Sequence, residues 1–61
     1  MTTELLTIEE TAELLRLPVA TLRHYRASGK GGPRSAKNGR RVVYRRSDVL
    51  AYIDSLFEAS E

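Results

Sequence analysis

Ile8, Ala12 and Leu15 recur at i, i+4 and i+7, an apolar stripe that predicts a short helix ending near Leu15. Thr7-Ile8-Glu9-Glu10 precedes it in the form of a capping box. The Thr7 hydroxyl accepts from the Glu10 amide while the Glu10 carboxylate reaches back to the Thr7 amide. Arg16-Leu17-Pro18 breaks the pattern, since proline is tolerated in a first helical turn and poorly in an interior. A second helix is expected from about Pro18 to Ala27, with Val19, Leu22 and Tyr25 or Arg26 inward and Thr21, Arg23 and His24 mostly outward. Gly29 supplies a left-handed C-terminal cap.

The period then changes. Gly29-Lys30-Gly31-Gly32-Pro33 holds no regular structure and reads as a loop. Two short strands follow, about Arg34–Lys37 and Arg40–Arg45, joined at Asn38-Gly39, a dipeptide favoured in two-residue hairpin turns. In the second strand Val42 and Tyr44 share one face, and Arg41, Val43 and Arg45 the other. A lone hairpin is unstable in water, so this one is expected to pack on the helices. Ser47-Asp48 suits the cap of a third helix, whose Val49, Ile53, Leu56 and Phe57 recur at i, i+4, i+7 and i+8, with Leu50 and Tyr52 at the margins. Fraying is expected from Glu58 onward.

Two short helices across a three-residue turn are the signature of a helix-turn-helix. With the hairpin added, the expected fold is α+β, mainly helical: a winged helix-turn-helix of three short helices and a two-stranded hairpin wing. Sixty-one residues make one domain, 1–61, and a chain this short buries only about 60% of its unfolded surface. There is no cysteine to staple it and one histidine cannot build a zinc site. No apolar run reaches a membrane span and no signal-peptide pattern opens the chain, which favours the cytoplasm, with the nucleoid when bound.

The net charge of +2 conceals a segregation. Residues 1–15 carry Glu4, Glu9, Glu10 and Glu13 and no base. Residues 16–46 carry all ten basic side chains and no acid. Residues 47–61 return to Asp48, Asp54, Glu58 and Glu61. A surface built for solubility mixes the signs; a contiguous basic middle is what one face against a polyanion requires.

Catalysis finds no support, because no nucleophile–base pair and no metal-ligand cluster can be assembled; neither cofactor nor metal is expected. The glycines of 29–32 neither follow a strand nor match a phosphate-loop spacing. Double-stranded DNA accounts for more of the residues. A helix in the major groove needs donors near its N-terminal half. Thr21, Arg23 and His24 are placed for that, Arg26 for a flanking phosphate, although a lone histidine is more often a plain surface residue than a base reader. Lys37, Arg40, Arg41 and Arg45 belong to the hairpin, narrow enough to enter a minor groove or follow the backbone. Such contacts position a protein, while base contacts specify sequence.

"TIEETAELLRLPVATLRHYR" resembles the opening of the MerR-like helix-turn-helix domains, whose second helix often reads Thr-Leu-Arg-Tyr-Tyr where this chain has Thr21-Leu22-Arg23-His24-Tyr25. "GKGGP…NGRRVVYRRSDVLAYI" is similar to the small phage and plasmid excisionase and AlpA-like proteins, with their Gly-x-Gly-Pro loop and Gly-Arg-Arg-Val-x-Tyr-Arg wing. The resemblance covers almost the whole chain. It implies that Arg23 contacts DNA from the recognition helix, that Arg40 and Arg41 act from the wing, and that Tyr44 and Tyr52 pack the core. Two positions depart from it: Pro18 stands where the family usually has a capping serine, and Gly32 lengthens or loosens the loop before Pro33. The residues of a MerR effector domain are missing, so no small-molecule ligand is expected.

The resemblance implies an excisionase that binds tandem sites, bends DNA and directs an integrase toward excision, its partners being DNA, the integrase and neighbouring copies of itself. A small transcriptional regulator is the alternative of the same fold. An RNA-binding protein is disfavoured by the scarcity of aromatics for base stacking, and a protein-interaction module by the lack of an evident apolar patch.

Overall fold

The computed structural model describes residues 4–59, which form β1 (Leu5–Thr7), α1 (Ile8–Leu15), α2 (Val19–Ser28), β2 (Ala36–Asn38), β3 (Arg41–Arg45) and α3 (Arg46–Ala59). The α1-turn-α2 unit with its hairpin wing is the expected winged helix-turn-helix. The sheet, however, has three strands in the order β1-β3-β2, all neighbours antiparallel. Leu5-Leu6 carries no strand pattern of its own in the sequence. It pairs with the hairpin, Leu5 opposite Arg45 and Leu6 opposite Tyr44. Three residues are too few for a period to show in sequence; this strand exists because β3 offers it an edge and Leu6 a buried partner.

The capping box forms at both ends: the Thr7 amide donates to Glu10 Oε1 at 2.8 Å and the Glu10 amide to Thr7 Oγ1 at 3.0 Å. At the other end of α1 the amide of Leu17 reaches Ala12 O at 2.9 Å and that of Arg16 reaches Glu13 O at 3.2 Å. These are the paired bonds of a Schellman cap. Its left-handed position is held by Arg16, at φ 57°, where glycine is usual. The three-residue turn then delivers the chain to α2. Pro18 caps that helix with its backbone alone, its carbonyl accepting from Thr21 at 3.0 Å, and no side chain caps it. Gly29 closes α2 in the left-handed conformation.

The hairpin turns one residue later than expected. Asn38 pairs with Arg41, so the loop residues are Gly39 and Arg40. Gly39 has φ 66° and Arg40 does not share the left-handed region. These are the φ signs of a turn with glycine at its first loop position, where the strand twist demands it. Arg40 thus leaves β3 for the tip of the wing, and β2 begins at Ala36 rather than Arg34.

Leu6, Tyr44 and Val49 form the centre of the core, with Ile8, Leu15, Val42 and Ile53 packed around it; Leu22 and Ala12 are buried where the two helices meet. Thr11, which its polarity kept out of the expected stripe, is wholly buried. Its hydroxyl donates to the Thr7 carbonyl at 2.9 Å, which removes the penalty for hiding it. The third helix departs most from expectation. It starts at Arg46, directly after β3, with the Arg46 amide held by the Glu4 carbonyl at 2.9 Å rather than by a Ser47 cap. Of its stripe only Val49 is fully buried and Ile53 partly; Leu56 is 47% and Phe57 74% exposed, and the helix runs on through Ala59. These residues and Leu50 form exposed apolar surface that is not evident from the sequence.

Candidate nucleic-acid interface

Two elements converge on one groove. On α2, Arg23, Arg26 and Ala27 stand at i, i+3 and i+4 and share a face. Arg41 and Val42 of β3 line the same groove, as do Thr7, Ile8 and Glu9 at the junction of β1 and α1. The groove measures about 740 Å³ and carries three guanidiniums. A planar five-donor group on each suits phosphates and the acceptor edge of guanine.

One of these arginines is held in place. Arg26 Nε donates to Ser35 Oγ at 3.0 Å, which ties α2 to the segment entering the wing. Beneath lies Tyr44, 1% exposed. Burial raises its pKa above the ordinary tyrosine value, while the positive charge of Arg26 and a hydrogen bond with Ser35 pull it part of the way back. Arg26, Ser35 and Tyr44 therefore link α2, the loop before the wing and the sheet.

The loop before the wing is not slack. Gly31 and Gly32 take φ 82° and 75° and lie against the ring of Tyr25; a Cβ on Gly32 would come within 2.6 Å of Tyr25 Cδ2. Gly32 thus seats the wing on α2 instead of loosening it. Burial raises the pKa of Tyr52 on α3 above the ordinary tyrosine value, and the neighbouring Tyr25 raises it further.

The expected site residues fall into three places. Arg23, Arg26 and Arg41 meet in the groove. Lys37 and Arg40 sit at the exposed end of the wing, Lys37 opposite Val42 and so on the groove-facing side of the sheet. Thr21 is half-buried in the first turns of α2, and His24 is exposed beside the Tyr25 ring, centroids 6.4 Å apart; neither lines the groove. Arg45 is elsewhere. It lies at the far end of β3 from the turn, its Nε 2.8 Å from Asp48 Oδ2. Sequence reasoning missed Ser35 and Glu9. No signal marks Ser35, and the charge segregation argued against any acid at the basic face.

Among the described residues no helix is long and apolar enough to cross a membrane. Compared with known families, residues 5–56 match the one described as a helix-turn-helix domain. No curated protein and no solved structure matches the chain.

Proposed function

The chain belongs to the helix-turn-helix domain family, that of the small AlpA- and excisionase-like DNA-binding proteins, and on that premise we propose that it acts as an excisionase. It binds double-stranded DNA in a sequence-specific way. In the proposed role, several copies occupy adjacent sites on an element's attachment region, bend it and favour assembly of the excisive integrase complex. The supporting observation is the groove in which Arg23 and Arg26 of α2 face Arg41 of the wing. It lets one short domain hold a DNA strand between a helix in the major groove and a hairpin beside it.

In this reading Arg23 reads a base edge, with Thr21 and His24 flanking it. Arg26 and Arg41 take phosphates within the groove, and Lys37 and Arg40 extend the backbone contact from the wing. Single modules of this kind bury only about 600–1,000 Å² on DNA, too little for a long-lived specific complex alone. Selectivity then rests on copies in tandem, each bend offset by contacts to its neighbours and to integrase.

The experiment is a gel-shift on a long attachment-site fragment together with a recombination assay using the cognate integrase. Cooperative, stepwise retardation with the mobility of bent DNA, promotion of excision and suppression of integration are expected. Binding at one unbent site with both recombination directions unchanged overturns the excisionase role and leaves the transcriptional regulator, whose groove and contacts are the same.

A further inference from the structure

Among the described acids, Glu9 is the one that lines the basic groove. Glu10 belongs to the capping box, and the ion pairs among the described residues, Arg45–Asp48 and Arg46–Glu4, leave Glu9 out. It is exposed, at the second position of α1, and it lines the same groove as Arg23, Arg26 and Arg41. In sequence it lies in the acidic first segment, and the fold carries it into the basic face because β1 pairs edge to edge with β3 and runs directly into α1. Support for the α1 dipole accounts for an acid in the first turn; it does not account for one facing three guanidiniums with no ion pair to any of them.

We propose that Glu9 is a specificity-determining residue of the DNA interface, an acceptor that discriminates against unmatched sequences. Arginine and lysine only donate, so the cationic groups of the groove and wing meet phosphate at any register and cannot pair with the amino groups of cytosine or adenine. A carboxylate has the opposite character. It is repelled by phosphate wherever the protein lands, and only a base edge presenting an amino donor in the major groove offsets that repulsion. Glu9 thereby weakens unmatched complexes more than the matched one, the repulsive half of a specific interface. This inference rests on the DNA-binding reading of the groove.

The test uses the full chain, a duplex that it selects from a randomised pool, and a scrambled duplex of equal length and composition. Glu9→Gln is compared with Glu13→Gln, which makes the same change of charge on an exposed α1 residue outside the groove. Glu9→Gln should tighten the scrambled duplex by about three- to fivefold, the scale of one near-surface charge interaction, and leave the selected duplex unchanged or weaker. Glu13→Gln should move both duplexes by one small common factor. If Glu9→Gln shifts both duplexes equally, or the two variants behave alike, Glu9 contributes only net charge and the proposal is overturned. If the wild-type chain selects no duplex, the DNA-binding reading fails first and this inference with it.

Discussion

Four residues show how local geometry separates effects that composition merges. Gly39 and Gly32 both have positive φ, but an added Cβ meets nothing within 4 Å at Gly39 and the Tyr25 ring at 2.6 Å at Gly32. Gly39→Ala should therefore cost about 1 kcal/mol, the left-handed penalty alone. Gly32→Ala adds overpacking and should cost about 2–4 kcal/mol. Thermal or urea unfolding of the two variants checks this, and equal losses would mean that the loop does not rest on Tyr25. Arg23 and Arg40 form the second pair, both exposed arginines. Arg23 lines the groove from the recognition helix, whereas Arg40 occupies the wing's turn. Arg23→Ala should cost about 1–3 kcal/mol of discrimination between selected and scrambled duplexes. Arg40→Ala should weaken both alike. Sequence-independent losses at both positions would place the recognition element elsewhere.

At the scale of elements, legibility followed the length of each pattern. The capping box, the proline break and the glycine cap are local chemistry, and α1, the turn and α2 could be read within a residue or so of where they lie. What depends on distant partners could not be read: β1 needs the edge of β3, and the hairpin's register depends on Gly39 taking the first loop position. The α3 stripe was legible as a helix but not as a core, because a period of 3.6 says which residues share a face and not whether anything covers it. Val49 sits over Tyr44 and Leu6, while Leu56 extends past them. Val49→Ala should thus cost about 2 kcal/mol, two buried methyl groups plus a small cavity, and Leu56→Ala within about 0.5 kcal/mol. Similar losses in denaturant unfolding would show that the far half of α3 is buried after all. The link from α2 through Ser35 to Tyr44 has a pH signature. Because burial holds the Tyr44 proton to a higher pH than in the unfolded chain, the unfolded state binds fewer protons above about pH 10 and stability falls as pH rises from there. The melting temperature should drop on the alkaline side, less steeply in Tyr44→Phe, with Tyr52 supplying part of what remains. An identical alkaline slope in Tyr44→Phe would contradict this.

For the whole molecule the question is how many of its ten basic side chains reach DNA. The segregation of charge along the chain identified a basic face but could not apportion it, since pairing with the acidic ends happens only in the fold. Arg45 is engaged by Asp48 at 2.8 Å, and Arg46 lies 3.7 Å from Glu4. Both pairs are exposed and individually weak, yet they sit where β1, β3 and α3 meet, at the opposite end of the sheet from the turn. What remains in the groove and wing is Arg23, Arg26, Arg41, Lys37 and Arg40, and on the base-reading role of Arg23 four of these meet phosphate. The Lys30 and Arg34 loop adjoins them and can add a contact. Four to five neutralised phosphates give a slope of log affinity against log salt of roughly −3.6 to −4.5, at about −0.9 for each. Arg40→Ala should flatten that slope by about 1, and Arg45→Ala should leave it unchanged. Titration of the scrambled duplex between low and physiological salt measures all three. A wild-type slope near −1 would remove the polyanion-binding face. A slope that flattens equally in Arg45→Ala would mean that DNA also covers the far end of the sheet, and that the interface is wider than one groove and its wing.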